Sequence, residues 1–185
     1  KKSIKSFQTQ IYKNKEHIIM DGGSIDGTLE VIRKFKKKNL ILFTSSDKGI
    51  YDALNKGINL SSGEIVGILH SDDFYNDNKV LKTIAETFKK TDADLVYGDL
   101  VYVNKKYPFK VLRYWKAGKY FEKNLFNGWM PPHPTVFIKR SVFNRIGKYK
   151  TNYQISSDYD FLVRVFRKKN IKKIYISKIL VNMRI

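Results

Sequence analysis

The strongest constraint in this sequence is an alternation. Through the first hundred residues, short apolar runs of strand length take turns with stretches whose apolar residues recur every three or four positions. Ile4, Phe7, Ile11 and Tyr12 predict a helix over 4–12, residues 17–20 a strand, and Leu29, Ile32 and Phe35 a helix over 28–38 with Asp26 as its N-cap. Residues 40–43 read as a strand. Ile50, Leu54 and Ile58 share one face of a third helix, and residues 65–69 form a buried-type strand. Leu81, Ile84, Ala85 and Phe88 mark a fourth helix, followed by a strand at 94–97. This alternation specifies an α/β fold with a mixed, mainly parallel sheet flanked by helices. The first βαβ unit opens on a helix, so a strand ahead of residue 4 is expected and is missing from the sequence.

After about residue 100 the texture changes. Residues 101–103 and 109–115 read as antiparallel strands around the Lys105-Lys106-Tyr107-Pro108 turn. The stretch 115–132 is aromatic and irregular. A strand at 135–138, helices at 141–146 and 158–166, and an extended segment at 172–181 complete the chain. A single domain over 1–185 is expected, with a ligand-binding half at 1–100 and a second half at 101–185.

The absence of cysteine excludes a disulfide scaffold and thiolate-ligated metal centres. No apolar run reaches the roughly 18 residues that a membrane-spanning helix needs. The N-terminus lacks an initiator Met and a signal-peptide apolar stretch, so the sequence is expected to begin inside a longer protein. Thirty-six Lys and Arg against 17 Asp and Glu leave a net charge of +19. Such an excess attracts polyanions: nucleic acid, anionic lipid or diphosphate-bearing small molecules. Much of it is lysine on exposed-looking faces, at Lys34, Lys36, Lys37, Lys38, Lys89, Lys90, Lys168 and Lys169, and reads as solvated surface.

The acidic residues are more informative. In parallel α/β sheets, ligands bind at the carboxyl ends of strands. Asp21 follows the 17–20 strand, and Asp72-Asp73 follows the 65–69 strand. Carboxylates there can accept from ribose or base and can hold a hard divalent cation facing phosphate oxygens. They can equally begin a turn or cap the next helix.

Order and spacing add to this. The stretch from Glu16 to Thr28, reading EHIIMDGGSIDGT, resembles the hallmark strand-turn of family 2 glycosyltransferases. So do DKGIYDALNKGI at 47–58, SGEI at 62–65 and the acidic motif His70-Ser71-Asp72-Asp73. His133-Pro134-Thr135, the segment 143–147 and SDYDFLVR at 157–164 are similar to that family's acceptor-side segments, in the same order. The resemblance implies a GT-A fold, a nucleotide-sugar donor (most often a UDP-sugar), a divalent cation (Mn2+ or Mg2+) and inversion at the anomeric carbon. It implies a glycan or lipid-linked glycan acceptor in bacterial surface-polysaccharide or lipopolysaccharide assembly. The corresponding location is cytoplasmic, with peripheral contact to the anionic inner face of the cell membrane and no nucleic-acid partner.

Position by position, the resemblance makes Asp21 a base contact and Lys48 a diphosphate contact. Asn55 becomes a donor-binding or structural residue, Asp72 a ribose or sugar contact, Asp73 the metal ligand and Asp158 the catalytic base. Asp73 is expected to face the surface, and Asp158 to serve as both helix N-cap and base, with Asp160 next in line. One usual acidic residue is replaced by Ser157. His133, in a stretch stiffened by Pro131 and Pro132, is either an acceptor or phosphate contact or a buried structural residue. Trp129 is either a sugar-stacking wall for the acceptor or core packing. His17 and His70 read as structural. Two other classes remain open on the residues alone. A nucleotidyltransferase would need a phosphate loop near the N-terminus, and a nucleic-acid-binding module would need interleaved stacking aromatics and cations.

Overall fold

The computed structural model describes residues 1–35 and 39–185. Lys36, Lys37 and Lys38, and with them the end of the expected 28–38 helix, lie outside the described residues. Lys34, Lys89, Lys90, Lys168 and Lys169 are exposed, as expected of a solvated cationic surface.

In chain order the elements are α1 (Lys2–Gln8), β1 (His17–Asp21), α2 (Thr28–Arg33), β2 (Leu40–Thr44), α3 (Ile50–Leu60), β3 (Ile65–Gly67), β4 (Phe74–Tyr75) and α4 (Val80–Thr91). There follow β5 (Leu95–Val103), β6 (Val111–Trp115), α5 (Glu122–Phe126), a 3-10 turn (His133–Thr135), β7 (Phe137–Lys139), α6 (Arg140–Ile146), α7 (Ser157–Arg167) and β8 (Lys173–Arg184). Several boundaries differ from the periodicity. Helix α1 stops at Gln8, and beyond it the backbone N–H of Ile11 donates to Asn78 O across the chain. Gly27 is the N-cap residue of α2, while Asp26 accepts from the Thr28 N–H two residues on. Thr135 belongs to the 3-10 turn rather than to β7. The two strand segments expected at 94–97 and 101–103 are one nine-residue strand, β5.

Strand β5 explains the architecture. It is buried along nearly its whole length, as a central strand covered on both faces must be. Leu95 and Tyr97 project to a layer made by α3, α6 and α7, with Val142, Phe161, Leu162, Val165 and Phe166. Val96 and Leu100 project to the opposite layer, against Val80, Ile84 and Phe88 of α4 and Phe7 of α1. The i, i+4, i+8 spacing of the α4 residues is what puts them on one face, and Asp92 ends that helix in a left-handed conformation at φ 48°. At Gly98 the strands close up: a Cβ would lie 2.8 Å from both the Leu180 side chain and Lys178 O.

The sheet is mixed. Strand order is β3-β7-β5-β8-β4, with β6 paired to β5. β5 and β8 run parallel, whereas β3–β7, β5–β7, β4–β8 and β5–β6 are antiparallel. The antiparallel share exceeds the mainly parallel expectation because the second half returns through a hairpin and short strands. β1 and β2 form a separate parallel pair. Between β1 and β3 lies an apolar cleft of about 620 Å³, lined by residues 17–20, residues 65–69, Ile4 and the Leu54 and Ile58 face of α3.

Candidate active site

The first acidic turn is organised by its own carboxylate. Asp21 Oδ2 accepts from the backbone N–H groups of Gly23 and Ser24, both at 3.0 Å. Burial opposes ionisation of Asp21, and the hydrogen bonds from Ser24 and Gly23 outweigh it, holding the carboxyl below the usual range. Asp21 therefore does begin a turn, as an anion. The turn packs on the segment before α3: a Cβ at Gly22 would meet Asp47 Oδ2 at 2.7 Å. Asp47 Oδ1 in turn accepts from Gly49 N, and Lys48 N donates to Asp52 Oδ2. This ordered loop holds Lys48 exposed beside the Asp21 turn.

Asn55, one turn further along α3, is engaged elsewhere. Its Nδ2 donates to Tyr149 O at 2.8 Å and its Oδ1 accepts from Tyr149 N at 3.1 Å. Both ends of the amide clamp one residue's backbone, so Asn55 is withdrawn from the donor-binding set. Trp129 is withdrawn likewise. Its ring packs among Tyr97, Tyr120 and Phe166, and its Nε1–H donates to Ala117 O at 2.8 Å. The ring is half-buried against this aromatic cluster, which accounts for it as core packing.

The second acidic turn divides its two carboxylates. Asp72 is exposed, with Oδ1 3.3 Å from an Arg184 guanidinium nitrogen, and its main-chain oxygen accepts from Arg184 Nε. Asp73 is only 2% exposed, contrary to the surface position expected, and its Oδ2 has no hydrogen-bond partner among the described residues. Burial, reinforced by the neighbouring Asp72 charge, pushes its carboxyl up to about 7 despite the opposing Arg184 cation. The turn folds Asp73 inward because its N–H donates back to His70 O.

The third carboxylate, Asp158, is the second residue of α7. Ser156, at φ 68°, is the N-cap residue, and no side chain among the described residues caps the helix, so Asp158 does not play the capping role expected for it. Its Oδ1 accepts from the Tyr51 hydroxyl of α3 at 3.1 Å. Tyr51 stacks on Tyr149, whose hydroxyl lies 2.8 Å from His133 Nε2, and His133 lies 6.0 Å from His70, ring centre to ring centre. Burial, with His70 alongside, lowers His133 to about 4 against the pull of Asp158. His70 is also lowered by burial and is also felt by Asp158. Both imidazoles are thus neutral near pH 7. Asp160, the alternative base, accepts from Lys150 Nζ at 2.9 Å and Arg164 Nε at 2.8 Å. These hydrogen bonds outweigh its burial and keep its carboxyl low, and each of its oxygens is engaged by a cation.

The structure therefore gathers Asp158, Tyr51, His70, His133 and Tyr149 at one place. His70 links them to the Asp72-Asp73 turn, and the start of α3 links them to Asp21 and Lys48. Tyr51, Tyr149 and Arg184 escaped the sequence reading. Tyr51 had one usable signal, its place in the first turn of α3 right after the Lys48 segment. His17 is structural as expected, stacked on Phe7 at 4.3 Å and lowered by burial to about 4.

A divalent cation would find one fitting group here. Asp73 offers a buried, unpartnered carboxylate oxygen, while no cluster of three or more His, Cys, Asp or Glu occurs among the described residues. Such an ion would take its remaining oxygens from a ligand's phosphates and water.

Comparison with known proteins bears on the family and the fold. The family model described as Glycosyl transferase family 2 matches residues 1–173. A PGL/p-HBAD biosynthesis glycosyltransferase of Mycobacterium bovis is 29% identical over 167 residues, covering 88% of this chain and 62% of that protein. An uncharacterized glycosyltransferase of Rickettsia conorii is 28% identical over 176 residues, 90% of this chain and 29% of the other. The chain thus spans less than two thirds of the length of these curated relatives. Among solved structures, S. aureus TarS in complex with UDP-GlcNAc superposes with a TM-score of 0.79 at 18% identity, covering 99% of this chain and 54% of that one. A mannosyltransferase from Pyrobaculum calidifontis, in complex with GDP-Man and Mn2+, gives 0.68 at 15%, covering 99% and 51%. At these identities the structural likeness concerns the fold, which is that of GT-A glycosyltransferases.

Proposed function

This chain belongs to glycosyl transferase family 2, and from that premise we propose that it moves a sugar, with inversion, from a UDP-sugar to a hydroxyl of a glycan or lipid-linked glycan. The observation that carries the reading is the setting of Asp158. It is a carboxylate with no cation partner among the described residues, at the start of α7, oriented by Tyr51 and bordered by two neutral imidazoles.

In this reading the acceptor oxygen attacks the anomeric carbon as Asp158 takes its proton. The new C–O bond forms on the face opposite the departing diphosphate, so the configuration inverts and no enzyme nucleophile is needed. Asp21 accepts from the donor's base, Asp72 from its ribose or sugar, and the Lys48 cation offsets charge on the leaving diphosphate. Asp73 would hold the divalent cation, whose contribution when bound is to neutralise that diphosphate. His133, whose Nε2 is taken by Tyr149, shapes the acceptor side. The UDP-GlcNAc bound by S. aureus TarS and the Mn2+ bound by the Pyrobaculum mannosyltransferase support the donor and cation assignments. A lipid-linked acceptor also accounts for the +19 charge through peripheral contact with an anionic membrane.

The test is to incubate the full-length protein with a panel of nucleotide-sugars and Mn2+ or Mg2+ and to follow the products by mass spectrometry. Nucleoside diphosphate release is expected. Pyrophosphate release from a nucleoside triphosphate, with none from any nucleotide-sugar, would refute it.

A further inference from the structure

The β5–β6 hairpin carries an exposed surface that the core does not require. Tyr107, Phe109, Val111, Leu112 and Tyr114 are all exposed, Phe109 to 85%. Val111 and Leu112 are adjacent on a strand, so apolar side chains project from both faces of the hairpin. Around them stand six exposed cations, Lys105, Lys106, Lys110, Arg113, Lys116 and Lys119, and no Asp or Glu occurs between 100 and 121. Lysines alone would protect an edge strand from pairing with another chain. The exposed phenylalanine, valine and leucine would work against that protection, and they need a different account.

The hairpin is a formed element. Asn104 Oδ1 accepts from the N–H groups of Lys106 and Tyr107, and Lys110 N donates to Tyr107 O. At its base, buried Asp99 accepts from the Tyr114 and Tyr175 hydroxyls and from Ala117 N. Lys105 N donates to Ile185 O, which ties the turn to the end of β8. Aromatic and aliphatic tips ringed by cations match the boundary layer of an anionic bilayer, where side chains enter the acyl edge and Lys and Arg meet lipid phosphates. A second copy of the chain fits poorly, because two-fold pairing would bring like cations together. Single-stranded nucleic acid would use the rings and cations but not Val111 or Leu112.

We propose that residues 104–116 form a membrane-docking hairpin that sets Phe109, Val111 and Leu112 into the surface of an anionic bilayer. This locates the membrane contact proposed above but does not depend on the transferase reading. One consequence does depend on it. Arg184, one residue before Ile185, holds the Asp72 turn, so a docked hairpin keeps the donor site close to lipid-borne hydroxyls.

The test is co-sedimentation of the full-length protein with phosphatidylcholine vesicles, with and without phosphatidylglycerol. The variants are Lys105→Glu/Lys106→Glu/Lys110→Glu, Phe109→Ser/Leu112→Ser, and a control of equal charge change on α4, Lys82→Glu/Lys89→Glu/Lys90→Glu. Binding to the anionic vesicles is expected. Each surface-facing cation strengthens it about fivefold, so the first variant, which removes three cations and adds three anions, should lose at least about a hundredfold and the α4 control little. The apolar pair should lose about tenfold or more, and that loss should persist at high salt. Equal losses in both charge variants, an unaffected apolar pair, or no vesicle binding by the wild type would each overturn the proposal. So would hairpin variants that change only the oligomeric state or oligonucleotide binding. Circular dichroism verifies folding, and Phe109→Ser alone, at a freely exposed site, serves if the double variant misfolds. None of these readouts involves sugar transfer, so failure here leaves the transferase assay informative.

Discussion

Asp73→Asn should make the stability of this protein less dependent on pH. Asp73 is 2% exposed, and burial followed by the Asp72 charge raises its carboxyl from 3.8 to about 7. A raised carboxyl favours the protonated form in the folded state. The associated stability is fully present below pH ~4 and is lost as pH rises through about 7. Three units at about 1.4 kcal/mol each set a ceiling of roughly 4 kcal/mol lost by pH 8, of which about 3 kcal/mol disappears between pH 5 and 8. Asparagine has nearly the same shape and no charge, so the advantage of Asp73→Asn over wild type should grow by roughly that amount across the interval. Titrations of His17 and His133 occur in both proteins and cancel. Urea unfolding in chelator at the two pH values, followed by circular dichroism, measures the difference. Parallel stability profiles for the two proteins would refute the burial argument. At pH 8, saturating Mn2+ should then stabilise the wild type by roughly 2–3 kcal/mol at a hundredfold excess over its Kd and leave Asp73→Asn unchanged.

Asp158→Asn should retain near-native stability, because the residue caps nothing, and should lower the transfer rate roughly 10²–10⁴-fold, checked by urea unfolding and by diphosphate release. Tyr51→Phe removes the hydroxyl that orients Asp158, and a fall of about tenfold in kcat with KM little changed is expected from steady-state kinetics. Gly98→Ala forces a Cβ into contacts of 2.8 Å with Leu180 and Lys178 O, so thermal unfolding should show a loss of about 1–3 kcal/mol.

The sequence by itself determined the elements whose apolar residues keep strict step with a helix or strand. Helices α3, α4 and α7 and strands β1 and β2 stand close to where periodicity puts them, because burying one face is a local demand that each segment records in its own residues. It also marked the acidic turns at strand ends, since loop carboxylates in ordered spacing leave a readable pattern. Roles that depend on partners distant in the chain left no such record. Asn55 meets Tyr149 across 94 positions, Tyr51 meets Asp158 across 107, and Arg184 meets Asp72 across 112. The same amide serves equally well as a ligand contact or a backbone clamp, and the same carboxylate as a surface ligand or a buried acid. Packing alone decides which, because it selects the hydrogen-bond partner and sets the desolvation of each polar group. Only the tertiary structure could therefore withdraw Asn55 and Trp129 from the site, turn Asp73 inward and place Tyr51 against Asp158.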